Sequence, residues 1–96
     1  LSVSVARVPT QSASRYLQQL AKHWSHKMPV HFTQEEATID FPNGSHLALR
    51  ADSETLDVAL TVPEGEDQAR MRTVVSEHLD RFAFREAPLT FDWREG

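Results

Sequence analysis

Hydrophobic and polar positions alternate along most of this 96-residue chain, and in two stretches they recur instead every three to four residues. Ser2–Val8 places β-branched residues at every second position, which predicts a strand. Pro9 ends it, and Thr10 or Ser12 is positioned to cap a helix. Ala13, Tyr16, Leu17, Leu20, Ala21 and Trp24 then fall on one stripe of that helix. Pro29 stops it near Lys27 or Met28, because the residue before a proline is pushed out of helical geometry.

The middle of the chain reads as a meander. Val30 and Phe32 alternate with His31 and Thr33, and Ala37, Ile39 and Phe41 with Thr38 and Asp40. Pro42-Asn43-Gly44-Ser45 predicts a hairpin, since Asn-Gly tolerates the positive φ of tight primed turns. Leu47, Leu49 and Ala51 follow, then a turn near Asp52-Ser53-Glu54, then Leu56, Val58, Leu60 and Val62. One face of this sheet is apolar and the other mostly polar, so it is covered on one side only. After Pro63 come acids suited to a helix N-terminus, and Met71, Val74, Val75, His78, Leu79 and Phe82 form a second helical stripe. Leu89, Phe91 and Trp93 alternate again, as a last short strand or an extended segment along the core. The expected fold is an α+β two-layer sandwich, an antiparallel sheet of about five strands with two helices on one face, in the order β-α-β-β-β-β-α with a final optional β. Residues 1–96 are expected to form a single domain.

The formal net charge of −4 conceals an asymmetry. Residues 1–31 hold Arg7, Arg15, Lys22 and Lys27 and no acid, whereas residues 32–69 hold nine acids against Arg50 alone. An acidic chain is poorly matched to a nucleic-acid duplex, where neutralising phosphates supplies most of the affinity. No apolar run approaches the ~18 residues of a membrane span. Cysteine is absent, which excludes disulfides, thiolate nucleophiles and iron–sulfur ligation. The chain opens on Leu1 without a charged-then-apolar leader, which leads to the expectation of a cytoplasmic protein, trimmed at its start or cut from a longer one. There is no glycine-rich phosphate loop, nucleophile elbow or zincin motif.

The candidate chemistry is histidine. His23 and His26 sit i, i+3 on the first helix, roughly 60° apart, and two imidazoles on one side supply two ligands to a borderline metal. His78 lies within the second apolar stripe, where it is either a ligand or proton-transfer group facing His23 or a core histidine satisfied by Tyr16, Ser25 or a backbone carbonyl. The cofactor is unknown from these residues, with a metal ion held by His23, His26 and His78 as the candidate. Tyr16, Arg81 and Arg85 complete the ligand-binding set, with the arginines and Phe82 and Phe84 able to clamp a planar anion.

Two segments carry a family resemblance. Arg15-Tyr16-Leu17-x-Gln19-Leu20-x-x-His23-Trp24-x-His26-Lys27, and then His78-Leu79-x-Arg81-Phe82-Ala83-Phe84-Arg85-Glu86 with Trp93 and Arg94, resemble a small bacterial family classed as a domain of unknown function, number 2218 in that series. The resemblance implies a domain found alone or associated with siderophore-interacting ferric reductases. Some relatives carry an aldolase-type name, but no metal-plus-base aldolase site assembles from these residues. The leading reading is a non-enzymatic accessory module in iron or siderophore handling that binds a metal ion, a siderophore or the reductase at the helix seam. Its competitors are a small enzyme, with His78 or His23 as acid–base group and Arg85 holding an anionic substrate, and a structural module that self-associates through the open sheet face.

Overall fold

The computed structural model describes residues 1–96. Its elements are β1 (Ser2–Pro9), α1 (Ala13–Ser25), β2 (Val30–Phe32), β3 (Glu36–Asp40), β4 (His46–Ala51), β5 (Thr55–Val62), α2 (Gln68–Phe82) and β6 (Arg94–Glu95). The strands form one antiparallel sheet in the order β2-β3-β4-β5-β1-β6. The first strand is therefore interior, paired along its whole length with β5 from Ser2↔Val62 to Pro9↔Thr55.

Both helices cover the same face. α1 buries Ala13, Tyr16, Leu17, Leu20, Ala21 and Trp24, the stripe its periodicity predicts, and α2 buries Met71, Val75 and Leu79. They meet the inward residues of the strands, among them Val8, Ile39, Leu47, Leu56 and Leu60, in one 22-residue hydrophobic cluster. Ser4 also points inward and is fully buried. Its hydroxyl accepts hydrogen bonds from Gln68 Nε2 (2.6 Å) and Arg72 Nε (2.9 Å), tying the start of α2 to β1. No helix is long and apolar enough to cross a membrane.

Caps and turns follow the local chemistry with two departures. Asp67 caps α2, accepting from the Arg70 N–H at 3.0 Å. Ser12 is the N-cap of α1 but makes no side-chain cap bond; Thr10 Oγ1 instead accepts from the Ser12 N–H at 3.1 Å. The hairpin at Asn43-Gly44 is not a primed two-residue turn. Only Gly44 has positive φ (+90°), and Phe41 pairs with Ser45 across a three-residue loop, so a single left-handed glycine closes it. Asp52 organises the β4–β5 turn, accepting from the N–H groups of Glu54 (2.8 Å) and Thr55 (2.7 Å). Those two bonds hold its carboxyl below the ordinary carboxylate range.

The last strand differs from expectation in place. Leu89, Phe91 and Trp93 run extended along the core without pairing, with Leu89 N–H anchored on Asp80 (2.8 Å) and Phe91 stacked on Trp93. Pairing begins only at Arg94–Glu95, against Val5 and Ser4 at the free edge of β1. The sheet thus has six strands. Leu60→Ala, at a fully buried position of β5, is expected to lower unfolding free energy by about 2–5 kcal/mol, read from urea denaturation with an unchanged m-value.

Candidate functional site

The two helical stripes bring His23 and His78 together. Their ring centroids lie 5.7 Å apart; His23 also meets the edge of Phe82 (5.8 Å), and His78 packs on Trp24 (4.9 Å). Trp24 in turn contacts Phe41 at the end of β3. The seam between α1 and α2 is a run of rings. His78 Nδ1 is 2.7 Å from the Val74 carbonyl, which can only accept, so the proton sits on Nδ1 and Nε2 carries the lone pair of the neutral ring. Of the partners expected for this histidine, the backbone carbonyl is the one observed.

A second contact, near the other end of α1, joins that helix to the segment following α2. The Tyr16 hydroxyl is buried and donates to the Glu86 carboxylate, which also accepts from Thr10 Oγ1 at 3.0 Å. Glu86, just past α2, thereby clamps the chain leaving α2 to the junction of β1 and α1. The hydrogen bond to Glu86, with burial and the neighbouring negative charge behind it, raises the phenol above its ordinary 10.0. Tyr16 therefore serves the clamp, and no ring contact joins it to His23 or His78.

His26 is exposed at the C-cap of α1, and no ring contact links it to His23 or His78. The expected three-histidine metal set is not assembled: no group of three or more His, Asp or Glu residues is placed to hold an ion. The physical reason is that His78 is committed to the seam while His26 points to solvent beyond the last turn.

What surrounds His23 is positive. Burial pushes its imidazole below the ordinary 6.5, and His78, Lys27, Arg81 and His26 push it in the same direction. Lys22, Lys27, Arg81 and Arg85 are exposed, and none of them joins an ion pair. Arg85 lies over the ring of Phe84 (5.8 Å), which is itself 74% exposed.

Two concavities mark the surface elsewhere. One, of about 770 Å³, lies between the start of α1 and the β4–β5 turn, with Ser14, Arg15 and Asp52 on its wall. The other, about 750 Å³, is a shallow trough on the uncovered sheet face, floored by Val5, Ala48 and Ala59 and walled by Arg7, Arg50 and Asp57. Neither includes His23, His26 or His78. Neither the register of this face nor Glu86 as the partner of Tyr16 has a local signal in the sequence, since 70 positions separate residues 16 and 86.

These elements define a small α+β domain whose antiparallel sheet is covered on one face by two ring-bearing helices. The chain belongs to the bacterial family described as "Uncharacterized protein conserved in bacteria (DUF2218)", whose model matches residues 5–94. It is similar to the solved structure titled "NMR structure of PA4090 from Pseudomonas aeruginosa", with 36% identity, 98% of this chain and 96% of that one covered, and a TM-score of 0.80. Comparison with curated proteins finds no match.

Two outcomes test the seam. His23 has a folded pKa below its unfolded value, so its contribution to stability is complete above about pH 6.5 and declines as pH falls toward the lowered pKa. His23→Gln should flatten that part of a stability–pH curve measured by chemical denaturation. Tyr16→Phe should cost about 1–3 kcal/mol, as loss of a hydrogen bond to a charged group does. The raised phenol pKa means the wild-type advantage over Tyr16→Phe persists at neutral pH and disappears as pH rises through the raised value, above 10.

Proposed function

We propose that the chain is a non-enzymatic binding module in bacterial iron or siderophore handling, acting in the cytoplasm beside a siderophore-interacting reductase. Its ligand is an anionic ferric siderophore, taken on the basic surface over the α1–α2 seam. The observation that carries this reading is the pair of permanent cations beside His23, Lys27 and Arg81, both exposed and neither paired with an acid. Unpaired exposed bases raise the local concentration of an anion and accelerate its approach.

The ligand chemistry supports the same surface. A ferric siderophore brings its own iron already coordinated, so the module needs no resident ligand set, and the open arrangement of His23, His26 and His78 suits recognition of charge and shape. Exposed Phe84 with Arg85 beside it offers a flat apolar surface next to a guanidinium, matched to an aromatic anion such as an iron–catecholate.

The test is titration of the pure protein with a ferric catecholate and a ferric hydroxamate, followed by backbone amide shifts. Shifts should centre on His23, Lys27 and Arg81 with the anionic catecholate, and Lys27→Glu with Arg81→Glu should weaken binding by at least about tenfold. Equal binding by the charge-reversed protein, or no binding of either siderophore, would sink the proposal.

A further inference from the structure

The uncovered face of the sheet lies opposite the seam and carries its own pattern. Because adjacent strands are in register, its side chains form rows across the sheet. One row is Glu36↔Arg50↔Asp57↔Arg7, acid and base in strict alternation over β3, β4, β5 and β1. Glu36 and Arg50 approach to 3.3 Å, and Arg7 and Asp57 to 3.6 Å. The next row, Thr38↔Ala48↔Ala59↔Val5, is small and nearly apolar over its four central strands and ends on His31 of β2 and Arg94 of β6. The third is Asp40↔His46↔Thr61↔Val3, in which His46 Nδ1 lies 2.7 Å from Asp40.

We propose that this face docks a second copy of the same chain, the two sheets packing face to face about a two-fold axis that runs parallel to the strands between β4 and β5. The axis follows from the rows. Face-to-face packing by two-fold symmetry requires an axis lying in the plane between the sheets. An axis across the strands would set each acid of the charged row over an acid of the other copy, and each base over a base. An axis along the strands reverses the row instead. Glu36 of one copy then stands opposite Arg7 of the other, and Arg50 opposite Asp57, so all four positions meet their complements. The same operation sets Ala48 opposite Ala59, the close contact that lets two sheets approach to about 10 Å. Packed sheets cross at roughly 30°, which displaces the corners most and the centre least, and Arg50 and Asp57 flank the centre.

Size agrees with a reversible dimer. The six strands, two to eight residues long, at about 4.8 Å spacing and ~3.3 Å per residue make a patch of roughly 500 Å². Two such patches bury about 1,000 Å², below the standard interface range, where association is weak and transient. Equal numbers of acids and bases in the charged row select against a polyanion and for a surface of the same mixed character. The seams of both copies remain outward, so the dimer and the siderophore reading stand or fall separately.

Sedimentation equilibrium of the full chain should show a monomer–dimer equilibrium in the micromolar range, weakened at least about tenfold as salt shortens the screening length from roughly 10 Å to 3 Å. Arg7→Glu with Arg50→Glu makes the row wholly acidic, and Glu36→Lys with Asp57→Lys makes it wholly basic. Each double variant, confirmed folded by circular dichroism, should be monomeric where the wild type dimerises, and an equimolar mixture should form a heterodimer. Mixed isotope-labelled wild type supplies a readout independent of mutation: filtered contacts between Ala48 of one copy and Ala59 of the other. A wild type that stays monomeric to about 1 mM at low salt, variants that self-associate as the wild type does, a mixture of folded variants that stays monomeric, or a wild-type dimer lacking the Ala48–Ala59 contact would each overturn the proposal.

Discussion

The antiparallel pairing of Ser2–Pro9 with Thr55–Val62 is the constraint on which the rest of the molecule depends. It puts the first strand inside the sheet, so the chain must return over one face through α1 to begin the meander at β2. It also leaves the far edge of β1 free to receive Arg94–Glu95. Ser4 shows how closely that position is specified. Its buried hydroxyl is the acceptor for both Gln68 and Arg72, so moving β1 by one residue would strand two donors and turn its apolar residues to the wrong face.

With both helices on one side, the two outer surfaces acquire different chemistry. The helical side gathers rings and unpaired bases at the seam; the sheet side presents balanced charges around a small-residue centre. The two segments that carry the family resemblance are the two halves of the seam. His23 meets His78, Tyr16 meets Glu86, and Trp24 joins both helices to β3 through Phe41. Residues that read in sequence as ligand candidates therefore divide by role. Tyr16 fastens the chain beyond α2 to α1, whereas His26, Arg81 and Arg85 are left to face solvent.

Much of this was legible beforehand, for physical reasons specific to each element. The α1 stripe is a long uninterrupted pattern of period 3.6, and the strands from Ala37 to Val62 alternate except at the small outward residues Ala48 and Ala59, so both elements and their inward faces could be read directly. Asp67 was legible as one of several acids before a helix. Alternation fixes a residue's face but says nothing about which strand lies beside it, which is why the charged row of Glu36, Arg50, Asp57 and Arg7 could not be seen. The Tyr16–Glu86 contact spans 70 positions and has no local signature. The turn at Gly44 depended on whether Asn43 shared its positive φ, a choice the dipeptide leaves open. The tail misled because Leu89, Phe91 and Trp93 alternate like a strand while their backbone joins no neighbouring strand.

The interior place of β1 has a consequence for the protein's synthesis. Neighbouring hairpins among β2 to β5 can zip as they emerge from the ribosome, but β1 has no complete mate until residue 62 has been made. At about 5–20 residues per second, the first strand waits roughly 3–10 seconds with its apolar side unprotected. During that interval the nascent chain holds a strand edge open to any other unfinished polypeptide nearby.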